Sequence, residues 1–140
     1  MKENSPMKMR TFYQNKLWRD GMVTTREQEG SIFHFKNLTD TEYQQELGKK
    51  LIEEAEEVAA APSRENLVEE LADVLEVIDA LCAAHGLSKE EVLAAQTAKR
   101  NKRGGFLGRK FVETVEHPET SSAVQYCLNQ PEKYPEIKKK

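Results

Sequence analysis

The sequence predicts an all-α fold, a helical bundle in which two antiparallel helices carry facing acids. Three observations predict it. Lys50–Val58 aligns without a gap on Asn66–Val74, so a leucine followed by acids three and six residues later occurs twice in strongly helical sequence. Helix starts are spelled out by Thr39-x-x-Glu42 and Ser88-x-x-Glu91, both capping boxes, and by Ser63 after Pro62. The chain of 140 residues, 38% hydrophobic and 32% charged, suits one helical domain with one modest core.

Taken in order, residues 1–9 are expected to be disordered. The Leu17/Trp18 pattern predicts a short helix over about 12–20, stopped by Gly21. Ser31–Lys36 alternates apolar and polar residues and is expected as a short strand or extended arm. Helices follow at about 40–60, 64–85 and 88–102, with Gly86 closing the second. Residues 10–115 are expected to form the domain. Residues 116–140 form an appendage with a short helix near Ser122–Leu128 and a disordered Lys138-Lys139-Lys140 end.

The helical wheel separates the acids from ordinary surface charge. With Leu51 at zero and about 100° per residue, Leu47, Ala55 and Val58 fall within about 40° of it and form the apolar stripe. Glu54 borders that stripe at about 60°, with Glu57 one step further out. In the next helix Leu67, Leu71, Val74, Ile78 and Leu81 form the stripe, bordered by Glu70, with Val77 between it and Asp73. Glu54/Glu57 and Glu70/Asp73 are each one turn apart, so antiparallel helices could aim four carboxylates into one space. Solvation of every acid is the ordinary reading of either cluster alone. The duplication argues against it, because like charges at this spacing repel and only Lys49 and Lys50, on the N-terminal side, offer relief.

Oxygen-only ligands select a hard cation, Mg²⁺ or else Mn²⁺. A di-iron bundle would need Glu-x-x-His, and none of His34, His85 or His117 stands three residues after a glutamate. His85 beside Gly86 reads as a helix C-terminus.

These residues resemble the MazG-like all-α nucleoside triphosphate pyrophosphohydrolase superfamily, whose motif Glu-Glu-x-x-Glu followed by Glu-x-x-Asp is matched by Glu53-Glu54-x-x-Glu57 and Glu70-x-x-Asp73. Asn15–Asp20, Tyr43, Leu47, Lys50-Leu51, Glu69–Ile78 and Lys99–Phe106 extend the likeness to a branch related to phosphoribosyl-ATP pyrophosphohydrolase, over roughly residues 12–111. Trp18 and Gly21-Met22-Val23 depart from that branch's pattern. The resemblance implies a nucleotide pyrophosphohydrolase in which water attacks the α-phosphorus, releasing nucleoside monophosphate and pyrophosphate. It implies Mg²⁺ on Glu54, Glu57, Glu70 and Asp73, with Glu53 as a further ligand or support, and a role in clearing non-standard nucleotides. Two alternatives stand beside it. One is a phosphoribosyl-ATP pyrophosphohydrolase of histidine biosynthesis, a family that places a histidine shortly after Glu-x-x-Asp, where Val74–Ile78 has none. The other is a non-catalytic dimerisation or regulatory module.

Lys99–Phe106 is the strongest basic cluster. Lys99 and Arg103 share a helical face before Gly104-Gly105 and suit phosphate, or else they complement a helix dipole. Lys16 and Arg19 face the same choice. Trp18 is expected in the core rather than stacked on a base. A net charge of −3 and few aromatic residues near the cluster argue against nucleic acid as partner. The absence of a long apolar run argues against a membrane, and two lone cysteines, Cys82 and Cys127, suit a reducing cytoplasm. A homodimer or higher homo-oligomer is expected.

Overall fold

The computed structural model describes residues 7–138, so most of the N-terminal segment expected to be disordered, and the last two lysines, lie outside the described residues. Five helices and no strand are present among them: α1 (Asp20–Gln28), α2 (Asp40–Ala59), α3 (Arg64–Ala84), α4 (Lys89–Arg103) and α5 (Ser122–Leu128). The protein is all-α. It divides into two compact units, residues 1–99 and residues 100–140.

In the first unit α2 and α3 make the one extensive helix pairing among the described residues. The capping box that opens α2 is complete, since the Thr39 hydroxyl accepts from the Glu42 amide at 3.2 Å and the Thr39 amide donates to Glu42 Oε1 at 3.1 Å. Ser63 caps α3 by accepting from the Asn66 amide, and only Ala60–Ser63 separates the two helices. So short a connection makes them antiparallel, and at the far end Gln44 Nε2 donates to the Ala84 carbonyl at 3.0 Å. Gly86 takes the left-handed conformation, φ 67°, that closes α3, and the Leu87 amide reaches the Cys82 carbonyl at 2.8 Å. The same capping logic opens α4, where Ser88 and Glu91 exchange bonds of 3.0 and 3.2 Å.

One expected element needs correction. No helix covers 12–20: Asn15 sits at φ 48°, outside right-handed helix space, and Arg19 is extended. The helix starts at Asp20 instead, whose acid lies in the first turn with Gly21 tolerated beside it. Leu17 and Trp18 do turn partly inward, and Trp18 meets the edge of Phe33 at 5.2 Å between ring centres. Of the two alternatives for Ser31–Lys36 the strand does not form; the segment has no regular secondary structure, and Phe33 is half-buried against that tryptophan.

The apolar stripes are also rotated from their expected place. The seam of α2 carries Leu47, Lys50, Leu51, Glu54 and Val58, and that of α3 carries Glu70, Asp73, Val74, Val77, Ile78, Leu81 and Cys82. Leu67 and Leu71, expected in the core, are exposed, as is Leu75. The seam therefore runs through the acids rather than beside them.

In the second unit α5 is capped by Ser121, whose hydroxyl accepts from the Ala123 amide. Tyr126 and Tyr134 lie 5.8 Å apart, with the Lys133 ammonium 5.3 Å from the Tyr134 ring.

Candidate metal and phosphate site

The antiparallel hairpin brings Glu54 and Glu57 of α2 opposite Glu70 and Asp73 of α3. One carboxylate oxygen from each of the four lies within 4.8 Å of the others. Glu54 is buried to 6% exposure, Glu70 and Asp73 are half-buried, and Glu57 is exposed. Glu54 Oε2 and Glu70 Oε2 are both cut off from solvent and receive no hydrogen bond. An ionised carboxylate can only accept, so two buried oxygens without donors call for a proton or a cation.

The electrostatics agree with the geometry. Burial pushes Glu54 above the ordinary carboxylate range, the neighbouring Glu57 adds to the rise, and Lys50 opposes it. Glu57 is raised in turn, first by hydrogen bonding with Glu70 and then by desolvation. These carboxylates are close enough to share protons when nothing else neutralises them. A hard divalent cation would satisfy the same oxygens without a proton, and the donor set is of the all-oxygen kind that Mg²⁺ or Mn²⁺ takes.

Glu53 points to a different set of partners. Lys16 Nζ lies 3.0 Å from its Oε1 and Lys50 Nζ 3.3 Å from its Oε2. Burial would raise Glu53, but the hydrogen bond from Lys16 and the charge of Lys50 outweigh it and hold the acid below its ordinary value. The bond to Glu53 likewise raises Lys16, against a smaller desolvation effect. Arg19 reaches over to α3 and donates to Asp73 Oδ1 at 2.6 Å. Lys16 and Arg19 are therefore at the rim of the acidic cluster, carried there by the irregular segment before α1 rather than by a helix.

Lys50, read from the sequence as partial relief for the acids and as part of the family likeness, was not assigned to the site. Its ammonium lies 3.4 Å from Glu54 Oε1 as well as touching Glu53, and its side chain is only 18% exposed. The signal was present: Lys50 precedes Glu54 by four residues, the spacing that sets Lys against Glu on one helix face. Lys99 is exposed on α4 and makes no ion pair with the carboxylates among the described residues. Arg103 ends α4 in the second unit, also exposed, before Gly104 at φ 79°. None of His34, His85 and His117 belongs to the carboxylate group.

A family profile described as phosphoribosyl-ATP pyrophosphohydrolase matches residues 1–101. No curated protein and no solved structure matches the chain. No helix among the described residues is long and apolar enough to cross a membrane.

Proposed function

The chain belongs to the phosphoribosyl-ATP pyrophosphohydrolase family, within the MazG-like all-α superfamily, and is an enzyme that hydrolyses a phosphoric anhydride; from that premise we propose that it cleaves between the α- and β-phosphates of a nucleotide. The observation that carries this reading is the meeting of Glu54, Glu57, Glu70 and Asp73 within 4.8 Å, with two of their oxygens buried and without donors. Bound there, Mg²⁺ would neutralise charge on the phosphate oxygens and lower the pKa of an attacking water.

The chain's own residues divide the remaining work. Glu54, Glu57, Glu70 and Asp73 hold the cation, and the antiparallel pairing of α2 and α3 keeps their oxygens close before it arrives. Glu53 keeps Lys16 and Lys50 beside the cluster. Lys16 and Arg19 bind the phosphate chain, Arg19 as a planar fork and Lys16 as a point charge. Lys99 and Arg103 are proposed as further phosphate contacts, on helical spacing alone. Water adds to the α-phosphorus, the α–β bridging bond breaks, and pyrophosphate leaves with the bonding electrons.

Two substrates fit this reaction. The family match favours phosphoribosyl-ATP. The stretch Val74–Ile78, without a histidine after Glu70-x-x-Asp73, favours a nucleoside triphosphate, non-standard ones included. A panel containing phosphoribosyl-ATP and common and modified triphosphates, assayed for pyrophosphate with Mg²⁺, separates them. Monophosphate and pyrophosphate should appear in equal amounts from at least one member. Orthophosphate with diphosphate, or no product at all, would sink the reading. We further propose that the protein acts as a homo-oligomer, because α3 leaves a leucine stripe uncovered, and that it works in the reducing cytoplasm that its two unpaired cysteines suit.

A further inference from the structure

Among the described residues Lys50 is the one cation in the seam between α2 and α3. It touches two acids, Glu53 at 3.3 Å and Glu54 at 3.4 Å, and is far less exposed than Lys16 or Arg19. Two clefts open next to it. The larger, of about 230 Å³, is lined by Lys16, Leu17, Trp18, Arg19, Met22 and Lys50; the smaller, of about 110 Å³, also holds the acids Glu46 and Glu53 and the neighbouring Lys49 of α2. Lys50 borders both, but only the larger is free of acids and lined by two further cations, so its ammonium can leave Glu53 and Glu54 for that cleft by rotating about its own side chain.

Charge balance says when it would leave. Three cations, Lys16, Arg19 and Lys50, contact Glu53, Glu54 and Asp73. A divalent cation among Glu54, Glu57, Glu70 and Asp73 would neutralise two of these three and repel the ammonium beside Glu54. The substrate it arrives with brings three phosphates whose oxygens need donors.

We propose that Lys50 is a substrate-binding residue for the phosphate chain, held on Glu53 and Glu54 while the acids lack metal and transferred to a phosphate oxygen once metal is bound. It deepens the reading of the carboxylates as a metal site and rests on that reading. The transfer makes metal and phosphate affinities move in opposite directions when Lys50 is removed, which a merely structural lysine would not do.

The test uses the full chain, Mn²⁺ alone as one probe and inorganic tripolyphosphate with saturating Mg²⁺ as the other, both followed by calorimetry. Tripolyphosphate carries the phosphates without a base, so the result does not depend on which nucleotide is the substrate. Lys50→Met should bind Mn²⁺ as tightly as the parent or several-fold more tightly, since a competing positive charge is gone. It should bind tripolyphosphate about tenfold less tightly or worse, the loss of one charged hydrogen bond. Lys50→Arg, which keeps a donor and a charge, should restore most of the tripolyphosphate affinity. Lys49→Met removes the same charge from the exposed lysine beside it, which pairs with Glu46, and should leave both affinities nearly unchanged.

Unchanged tripolyphosphate binding in Lys50→Met would overturn the proposal. So would a parallel fall in both affinities, which would make Lys50 a prop that orients Glu54. Failure of the parent to bind Mn²⁺ would instead remove the metal-site reading itself, and this inference with it. Loss of both affinities in Lys49→Met as well would trace the effect to the general field of the helix and also overturn it.

Discussion

At the scale of single residues, the four acids at the seam differ from their neighbours by what surrounds them, not by their chemistry. Glu56 and Glu76 stand exposed within a turn of the cluster, whereas Glu54 is almost fully buried. Glu54→Gln, Glu57→Gln, Glu70→Gln and Asp73→Asn should each remove most pyrophosphate release, while Glu56→Gln and Glu76→Gln should leave it near the parent. If Glu56 proved as necessary as Glu57, the face assigned to the site would be wrong. Without metal the same acids should weaken the fold at neutral pH. The native pKa of Glu54 and Glu57 lies above the ordinary value of 4.5, so between the two the native state holds more protons than the unfolded chain. Stability of the metal-free protein should therefore rise as pH falls through that interval. Glu54→Gln should flatten the rise and, at neutral pH, melt no lower than the parent. Saturating Mg²⁺ should raise the parent's melting temperature and not that of the variant. A metal-free melting temperature that falls throughout acidification would contradict the charge repulsion inferred here. The spacing of Glu54, Glu57, Glu70 and Asp73 was legible in the chain because helical periodicity alone determines which acids share a face. Lys50 was read only as charge relief and not as part of the site, because its place there depends on the seam passing through the acids, and sequence placed the seam beside them.

At the scale of elements, the helices written with their own stop and start signals were legible and the one without them was not. Thr39, Ser63 and Ser88 set the starts of α2, α3 and α4 through local hydrogen bonds that need no knowledge of the rest of the fold. The segment before α1 is decided by longer-range contacts: Lys16 to Glu53, Arg19 to Asp73 and Trp18 to Phe33 all compete with local helix formation there. Propensity could not foresee them. On α4 the basic last turn, Arg100, Lys102 and Arg103, also complements the helix dipole, so the presence of charge does not by itself establish a phosphate contact. Replacing Arg103 by Lys separates the two roles. A dipole is satisfied by either cation, but a bidentate phosphate contact is not. Arg103→Lys should weaken binding of a non-hydrolysable triphosphate with Mg²⁺ by about tenfold or more, corresponding to a charged hydrogen bond of about 1.5–3 kcal/mol. Lys102→Ala should change it little. Calorimetry showing equal affinity in Lys99→Ala, Arg103→Ala and the parent would return the end of α4 to a purely structural role.

At the scale of the whole molecule, the chain buries too little of its apolar surface for two well-formed helices of 20 and 21 residues. Among the described residues the buried hydrophobic side chains are Leu47, Val77 and Cys82. Val68, Leu71 and Leu75 recur at helical spacing on the side of α3 turned away from the seam, at 58%, 47% and 54% exposure. Burying such side chains fully is worth about 1.5–3 kcal/mol each, so a continuous stripe of them left in water is a strong drive to associate. A second copy of the chain offers the same stripe, and a two-fold axis would set one against the other with like residues meeting. Light scattering should accordingly give a mass of at least twice the 16.0 kDa of one chain. Leu71→Glu and Leu75→Glu distinguish this from a chance exposure. In a lone chain each change falls on an exposed helical position and should shift stability by no more than about 0.5 kcal/mol. In an oligomer joined through this face each buries a charge against leucine, so the mass should drop toward that of one chain and the melting temperature should fall and become dependent on protein concentration. The carboxylates lie on the seam rather than on this stripe, so Mn²⁺ should still bind the separated chain. An unchanged mass and melting temperature in both variants would show that copies of the chain do not meet through α3.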